Sequence, residues 1–267
     1  MSSTDTPSSF DERLSQREAV ISQPHPLDTK PTDANSQPHG NIPNTPLAVS
    51  FISFLLGICF TLGMVAFSAG YIHYYWWSTY QLGFFAAAWA AFHYGEFAVT
   101  AGWNKGKCSV DSFLLDNGVL YHISNGVALL EYLVTLYFKP SLKAFPHVST
   151  FGIAMTIFGQ CLRSIAMIHA STNFSHMVAF HKANDHQLVT SGVYSWFRHP
   201  SYAGFFYWGL GTQLVLQNSL SFLLYAVLLW RFFYNRIRFE ETALVKFFGD
   251  DYVKYRNRVG TMIPFIP

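Results

Sequence analysis

The sequence predicts an all-α integral membrane protein with about six transmembrane helices. Of its 267 residues, 51% are hydrophobic and 18% are aromatic, whereas only 12% are charged. Roughly a quarter of the residues in an average soluble domain are charged, so this composition indicates a chain that lies largely in a bilayer. Most of the apolar residues fall into runs of about 20, which is the length that a transmembrane helix requires.

The first 46 residues differ from the rest of the chain. They hold seven of the twelve prolines, together with many Ser, Thr, Asp and Gln residues. Because such a segment has little apolar surface to bury, it predicts a disordered N-terminal tail over residues 1–46. The tail contains no apolar core of the kind that a signal peptide needs. We therefore expect the first apolar run, which begins at Leu47, to be an uncleaved membrane anchor.

Four transmembrane helices are predicted over residues 47–170. They correspond to the apolar runs 47–70, 80–100, 119–138 and 148–170. The last three runs contain ionisable side chains, namely His93 and Glu96, then Glu131, then Arg163. An arginine inside a membrane is costly unless it is paired. Arg163 is therefore predicted to form an ion pair with Glu131 or Glu96, or to contact a substrate, and the sequence leaves these alternatives open.

A helical hairpin is predicted near the C-terminus. Residues 203–233 are too long for one crossing and contain Gln217, Asn218 and Ser219 near their middle. Two helices joined there bring the predicted total to six, which places both termini on one side of the membrane. That side is predicted to be the cytosol, because the C-terminal segment is rich in basic residues. These residues are Arg236, Arg238, Lys246, Lys254, Arg256 and Arg258.

The segment after the hairpin is predicted to leave the membrane as an amphipathic helix over residues 230–248. Arg236 and Glu240 are four residues apart, so they share one face of this helix. As an ordinary exposed pair they would contribute only a few tenths of a kcal/mol. Their position next to the loop that precedes the hairpin indicates instead that a cation and an anion are presented together to a ligand.

That loop reads LVTSGVYSWFRHPSYAG over residues 188–204. Pro200 suits the first position of a helix, and it restricts His199 to an extended conformation. The N–H groups of Ser201 and Tyr202 are then predicted to point out of a helix N-terminus, where a carboxylate or phosphate is stabilised. The alternative is that the Arg-His-Pro triplet is only a cytosolic anchor for a transmembrane helix.

Composition argues against several other classes of function. A net charge of +2 without a basic cluster does not favour nucleic-acid binding. The three cysteines, Cys59, Cys108 and Cys161, have no CxxC spacing and predict neither a disulfide framework nor a zinc site. Three histidines, His176, His181 and His186, have a spacing that suggests a metal cluster, but they lack carboxylate or cysteine partners nearby. We therefore predict no metal site.

Several motifs in order resemble the isoprenylcysteine carboxyl methyltransferases. The resemblance covers roughly residues 90–267. It rests on FHYGEF at 92–97, DSFLL at 111–115, GQCLRSIAM at 159–167, NFSH at 173–176, RHPSYAG at 198–204, the pair Glu240-Glu241, and the C-terminal stretch FFGDDYVKYRNRVGTMIPFIP. Residues 171–267 would then form the catalytic region, with a cofactor loop, the hairpin and the amphipathic helix.

The resemblance implies transfer of a methyl group from S-adenosylmethionine to the α-carboxylate of a C-terminal prenylated cysteine. The implied partners are CaaX-processed proteins such as small GTPases, and the implied location is the endoplasmic reticulum membrane, with a cytosolic cofactor site. Arg236 would bind the substrate carboxylate, and Arg163 is the second candidate catalytic residue. Ala179 departs from the family, since relatives often have Gln there. The implied cofactor-binding residues are His186, Gln187, Leu188, Val189, Tyr194, His199, Pro200, Ser201, Tyr202 and Glu240.

Three other functions remain open at this stage. A phospholipid N-methyltransferase would share the methyl donor and the RHPxYxG element, but it would not need FHYGEF or NFSH. A sterol reductase that uses NADPH would be longer and would have more spans. A non-enzymatic scaffold or transporter does not explain why polar residues concentrate on one face.

Overall fold

The computed structural model describes residues 42–69, 75–176 and 187–267. The regular structure of these ranges is helical, without strands. Seven α-helices lie in them: α1 Pro46–Ala69, α2 Tyr80–Trp103, α3 Val119–Phe138, α4 Pro146–Ala170, α5 Pro200–Val215, α6 Ser219–Phe248 and α7 Asp250–Arg258. Most of the predicted N-terminal tail, residues 1–41, lies outside the described residues, and α1 already begins at Pro46.

The four predicted single helices are present as α1 to α4, and the predicted hairpin is present as α5 and α6. The hairpin turn comprises residues 216–218, where Gln217 has a left-handed φ of 53°. The amphipathic segment is not a separate helix, because α6 continues without a break from Ser219 to Phe248. One rigid helix therefore joins the hairpin to the region that carries Arg236 and Glu240.

Three helical segments of the described chain are long and apolar enough to cross a membrane: Pro46–Ala69, Val119–Phe138 and Pro146–Asn173. The helix α2 contains a buried Glu96 and a buried His93, and α5 has only 16 residues. Length and composition thus support three spans, and the number six remains a prediction.

The helices α4 and α5 pack closely because glycines face each other between them. A Cβ atom at Gly159 would lie 2.5 Å from the carbonyl oxygen of Gly204 and 2.5 Å from the amide nitrogen of Trp208. A Cβ atom at Gly211 would lie 2.7 Å from the amide nitrogen of Thr156. Small residues allow helix backbones in membranes to approach in this way. The start of α5 is consequently held next to Arg163 on α4.

Hydrogen bonds fix the hairpin turn to the neighbouring helices. The Lys143 ammonium donates to the Gln217 carbonyl oxygen at 3.0 Å and to Asn218 Oδ1 at 2.8 Å. Asn218 Nδ2 in turn donates to the Ala128 carbonyl oxygen on α3 at 2.8 Å. The Glu131 carboxylate accepts hydrogen bonds from the amides of residues 220 and 221, so it caps the N-terminus of α6. Glu131 is therefore not the partner of Arg163.

We predict that Gly159→Val destabilises the fold, whereas Gly57→Val does not. The added methyl groups at position 159 meet main-chain atoms of α5, which cannot move aside as a flexible side chain can. Overpacking of this kind costs about 1–3 kcal/mol. A Cβ atom at Gly57 on α1 meets nothing within 4 Å, so that variant is the matched control. Thermal unfolding of the detergent-solubilised variants measures the difference, and equal midpoints would contradict the packing argument.

Candidate active site

Two adjoining cavities lie where α5 and α6 meet the segment 174–176. We call the first the apolar cavity; it has a volume of about 360 Å³. Its main walls are residues of α3, α5 and α6: Leu120, Tyr121, Ser124, Asn125, Tyr202, Phe205, Trp208, Gly209, Tyr225, Leu228, Leu229, Phe232, Phe233 and Arg236. We call the second the polar cavity. It lies between the loop 187–201 and the C-terminal part of α6. Phe174, Ser175 and Tyr202 line both cavities.

The polar cavity collects all of the described cofactor candidates. Nine of the ten residues line it: Gln187, Leu188, Val189, Tyr194, His199, Pro200, Ser201, Tyr202 and Glu240. The tenth, His186, lies outside the described residues, as do Ala179 and His181. Binding of a cofactor by the nine described residues stays a prediction. The structure nevertheless brings residues that are up to 53 positions apart in the sequence (187 to 240) into one cavity.

The start of α5 agrees in part with the predicted helix N-terminus. Pro200 occupies the first turn, and His199 has φ −126° and ψ 67°, outside the helical region. The Tyr202 amide, however, donates to the His199 carbonyl oxygen at 3.1 Å. The sequence predicted that this N–H group points at a ligand. That prediction was wrong, because the N–H group forms a hydrogen bond to the carbonyl oxygen three residues earlier. The Ser201 N–H remains the candidate donor at this helix end.

Arg163 forms a buried ion pair with Glu96. The two hydrogen bonds measure 2.5 Å from Nε and 2.7 Å from Nη2, and both side chains are almost fully buried. Arg163 Nη1 also donates to Ser201 Oγ at 2.9 Å, and Glu96 Oε2 contacts His176 Nε2 at 3.0 Å. Of the two ion pairs that the sequence left open for Arg163, the structure contains the one with Glu96. Arg163 also lines the apolar cavity, so a substrate role stays a prediction.

Tyr202 lies between Arg236 and Glu240. Arg236 Nε donates to the Tyr202 hydroxyl at 2.9 Å, and this hydroxyl donates to a carboxylate oxygen of Glu240. The guanidinium carbon of Arg236 lies 5.2 Å from the centre of the Tyr202 ring, and Nη2 donates to the His176 carbonyl oxygen. Arg236 and Glu240 share a helix face, as predicted, but a hydroxyl group separates them. Arg236 therefore faces the apolar cavity and Glu240 faces the polar cavity.

Arg236 differs from the other two arginines of the site in its partners. Arg163 pairs with Glu96, and Arg198 pairs with Glu241. In the described part of the chain, no carboxylate lies within 4.0 Å of the Arg236 guanidinium. A cation beside an apolar cavity without a counter-charge favours the binding of an anion.

Arg198 lines the polar cavity and also holds the C-terminal segment in place. Its guanidinium donates to Glu241 Oε1 at 2.6 Å and to the carbonyl oxygens of Arg256, Val259 and Pro267. These contacts fix the C-terminal segment against the start of α5.

Burial alone would raise the pKa of Glu241, but the hydrogen bond from His199 and the charge of Arg198 outweigh it, so the pKa lies below its ordinary value.

Sequence reasoning missed several residues that line the two cavities. Leu244 and Phe248 follow Glu240 at intervals of four on α6, so helical periodicity could have identified them. Tyr252 and Tyr255 reach the polar cavity from α7, and no local signal indicated this. Tyr121 lines the apolar cavity, where its hydroxyl lies 2.8 Å from Nε2 of the buried His93.

Comparison with known proteins gives one consistent family. The sequence model of the Isoprenylcysteine carboxyl methyltransferase (ICMT) family matches residues 152–246. The chain is 43% identical to the protein-S-isoprenylcysteine O-methyltransferase of Homo sapiens over 216 residues, which is 81% of this chain and 72% of the human protein. It is 42% identical to that of Schizosaccharomyces pombe (strain 972 / ATCC 24843) over an alignment of 244 positions, which covers 85% of this chain and 100% of the relative.

A solved structure is also similar. It shows the eukaryotic intramembrane Ras methyltransferase ICMT (isoprenylcysteine carboxyl methyltransferase). The TM-score is 0.75 at 33% sequence identity, and the match covers 98% of this chain and 88% of the other. The described residues therefore share their helical architecture with this structure.

We predict that Glu241→Gln lowers stability at neutral pH and that the loss shrinks in acid. A carboxylate with a lowered pKa stabilises the fold above its unfolded pKa, and this stabilisation disappears as the pH falls through the folded pKa. A hydrogen bond to a charged group contributes about 1.5–3 kcal/mol at about pH 7. Unfolding of wild type and variant is measured from about pH 7 down to about pH 2. The two curves should run parallel above about pH 5 and converge below it. The exposed Asp251, changed to Asn, is the control, and a pH-independent gap would contradict the assignment.

Proposed function

Because the chain belongs to the isoprenylcysteine carboxyl methyltransferase family, as its motifs predicted, we propose that it esterifies the α-carboxylate of a C-terminal prenylcysteine with a methyl group from S-adenosylmethionine. Its protein substrates would be proteins that carry such a carboxylate after CaaX processing, including small GTPases. The observation that carries this proposal is Arg236: an arginine without a carboxylate partner among the described residues, at the point where an apolar cavity meets a polar one.

The residues of the polar cavity fit the methyl donor. Glu240 supplies a carboxylate for the ammonium group, and its side chain is only 26% exposed. The start of α5 at Pro200 and Ser201 suits the methionyl carboxylate, and the flat adenine suits the apolar side chains of Leu188 and Val189. The rings of Tyr194 and Tyr202 can stabilise a sulfonium by cation–π attraction. When bound, the donor supplies an electrophilic methyl group.

The apolar cavity fits the prenyl chain. Its walls are aromatic and aliphatic side chains of α3, α5 and α6, and its volume lies in the range of small-molecule pockets. The prenyl chain in this cavity would place the terminal carboxylate beside Arg236. The two substrates would then enter from different sides and meet at Tyr202.

The chemistry requires alignment more than proton transfer. A carboxylate ionised at neutral pH is already a nucleophile; its oxygen forms the new O–C bond while the C–S bond of the sulfonium breaks, and no proton moves. Arg236 orients the carboxylate, and Tyr202 holds Arg236 and Glu240 at a fixed separation. Opposite charges are neutralised in the reaction, so a site that excludes water favours it.

The same proposal includes the location of the protein. We propose that six helices cross the endoplasmic reticulum membrane and that both termini and the polar cavity face the cytosol. Three spans are supported by length and composition, and the C-terminal segment carries the basic residues that favour the cytosolic side. A cytosolic polar cavity would receive a water-soluble methyl donor directly.

Purified protein with methyl-labelled S-adenosylmethionine tests the reaction itself. We expect base-labile label, released as methanol, on N-acetyl-S-farnesylcysteine. Phosphatidylethanolamine should receive no label. Any N-methyl label on it would resist base, so the two products are distinguishable. Label on the phospholipid alone would establish the N-methyltransferase alternative, and label on neither would contradict enzymatic methyl transfer by this site.

We predict that Arg236→Lys binds the cofactor product but turns over slowly. Lysine keeps the charge and loses the planar fork that aligns the carboxylate. A misplacement of about an ångström lowers the rate on the order of a hundredfold. S-adenosylhomocysteine binding and initial rates on the farnesylcysteine analogue measure the two effects separately. The matched control is Arg238→Lys, an exposed position on the same helix. Near-normal turnover, or loss of product binding, would refute the role of Arg236.

We predict that Glu240→Gln weakens the cofactor much more than the prenyl substrate. A hydrogen bond to a charged group contributes about 1.5–3 kcal/mol, so KM for S-adenosylmethionine should rise by about tenfold or more. KM for the farnesylcysteine analogue should change little, because Glu240 faces the polar cavity. The exposed Asp250, changed to Asn, controls for loss of a carboxylate. Equal increases in both KM values would show that Glu240 is structural.

A further inference from the structure

The C-terminal segment, residues 259–267, turns two large apolar side chains away from the protein. Phe265 is 91% exposed and Met262 is 54% exposed, whereas Ile263 and Ile266 are buried in the hydrophobic core. The segment contains no charged side chain. Exposure of such large apolar groups to water is unfavourable, so an apolar environment outside the protein would stabilise this arrangement.

The backbone of the segment imposes this outward direction. Met262 and Phe265 have left-handed φ angles of 57° and 61°. A residue with a side chain adopts this conformation at a cost, and keeps it only where its surroundings hold it. The Tyr207 hydroxyl on α5 donates to the Met262 carbonyl oxygen at 2.6 Å. Trp230 Nε1 on α6 donates to the Pro264 carbonyl oxygen at 3.1 Å. The exposure of both side chains is therefore a fixed feature of the fold.

The contact with Trp230 indicates the depth of the segment in the membrane. Trp230 precedes Arg236 by six positions on α6, which corresponds to about 9 Å along the helix axis towards the hairpin turn. The next residue, Arg231, is exposed. Tryptophan and basic side chains concentrate at the headgroup level of a bilayer, where an arginine can extend into the water. We therefore expect Pro264 to lie at that level too.

A groove joins the segment to the exposed side of α4. Met262 lines this groove together with Trp196, Tyr207 and Phe158. Trp196 and Phe158 are both exposed. Phe158 belongs to the helical segment Pro146–Asn173, which is long and apolar enough to cross a membrane. Lipid that covers the exposed side of this helix would therefore continue across Trp196 to Met262.

Positive charge lies at the edge of the same groove. Arg258, at the end of α7, lines the groove. Among the residues that the structure describes, no carboxylate lies within 4.0 Å of the Arg258 guanidinium. The acidic residues of α7, Asp250 and Asp251, lie in its first turn, at the opposite end of the helix. A cation next to an apolar groove complements the phosphate groups of phospholipids.

We propose that Met262, Phe265 and Trp196 form a docking surface that binds the phospholipid bilayer at its interface. Met262 and Phe265 insert among the acyl chains just below the headgroups. Lipid fits this surface better than a second protein does, because the surface continues from the exposed side of α4 and has a cation at its edge. The proposal concerns contact with the membrane and goes beyond the proposed methyl transfer.

One arginine connects the docking surface to the polar cavity. Arg198 lines that cavity, and its guanidinium donates to the carbonyl oxygens of Val259 and Pro267 at the two ends of the segment. The level at which lipid holds the segment would therefore also set the height of the polar cavity above the acyl chains.

Spin labels on the docking surface test this contact. The full chain, carrying Cys59→Ala and Cys161→Ala, is reconstituted into vesicles of phosphatidylcholine and phosphatidylserine. Met262→Cys or Phe265→Cys is added and labelled with a nitroxide, and the parent without an added cysteine gives the background from the buried Cys108. Oxygen concentrates among acyl chains and a nickel chelate stays in water, so the ratio of their collision rates with the label reports its depth.

Two further positions calibrate the ratio. Asp251→Cys places a label on the exposed acidic end of α7, which should lie in water, and Phe151→Cys places one on the exposed side of α4. We expect the oxygen-to-nickel ratio at positions 262 and 265 to exceed the Asp251→Cys value severalfold and to approach the Phe151→Cys value. Trp196→Cys, outside the segment, should give a similarly raised ratio. Binding of S-adenosylhomocysteine identifies the variants that are folded.

A ratio at positions 262 and 265 equal to that of Asp251→Cys places both side chains in water and overturns the proposal. Low collision rates with both reagents show that protein, such as a second copy of the chain, covers the surface, and this also overturns it. Methyl transfer to the farnesylcysteine analogue is measured separately. Folded protein that methylates nothing would contradict the proposed function and leave the depth measurement unaffected.

Discussion

The buried ion pair between Arg163 and Glu96 is the contact on which the site depends. Each charge is tolerated inside the helix bundle only because the other is present, and removing one partner of such a pair costs about 3–5 kcal/mol. Both side chains also have a second contact, Arg163 with Ser201 and Glu96 with His176. The pair therefore positions the start of α5 and the segment 174–176 at once, and those two elements form the boundary between the cavities.

Tyr202 lies at this boundary and lines both cavities. Its ring lies between the apolar cavity and the polar cavity. Its hydroxyl contacts Arg236, which lines the apolar cavity, and Glu240, which lines the polar cavity. A direct Arg236–Glu240 ion pair would have neutralised both side chains. With the hydroxyl in between, Arg236 has no carboxylate within 4.0 Å among the described residues. In the proposed function, its charge would bind the substrate carboxylate, and Glu240 would bind the ammonium group of the methyl donor.

The sequence predicted the helices and the hairpin because their signals are local: runs of apolar residues and a polar triplet at 217–219. It also grouped nine described cofactor candidates correctly into one cavity, since the family motifs mark them directly. It did not predict Tyr252, because Gly249, with a left-handed φ of 55°, turns α7 back towards the cavity. It did not choose Glu96 over Glu131 for Arg163 either, because the choice depends on which helices become neighbours.

In the proposed reaction, the continuity of α6 would let two chemically different substrates meet with little freedom. One helix carries Tyr225 and Leu229 in the apolar cavity, Arg236 at the boundary, and Glu240 with Leu244 in the polar cavity. Arg236 and Glu240 are one turn apart, so the helix geometry itself sets a spacing of about 6 Å along the axis between their Cα atoms. Their separation does not depend on loop conformation or on the angle between helices. Alignment of the carboxylate with the methyl group is the main requirement of the proposed reaction, and a single helix meets it more rigidly than residues from two elements could.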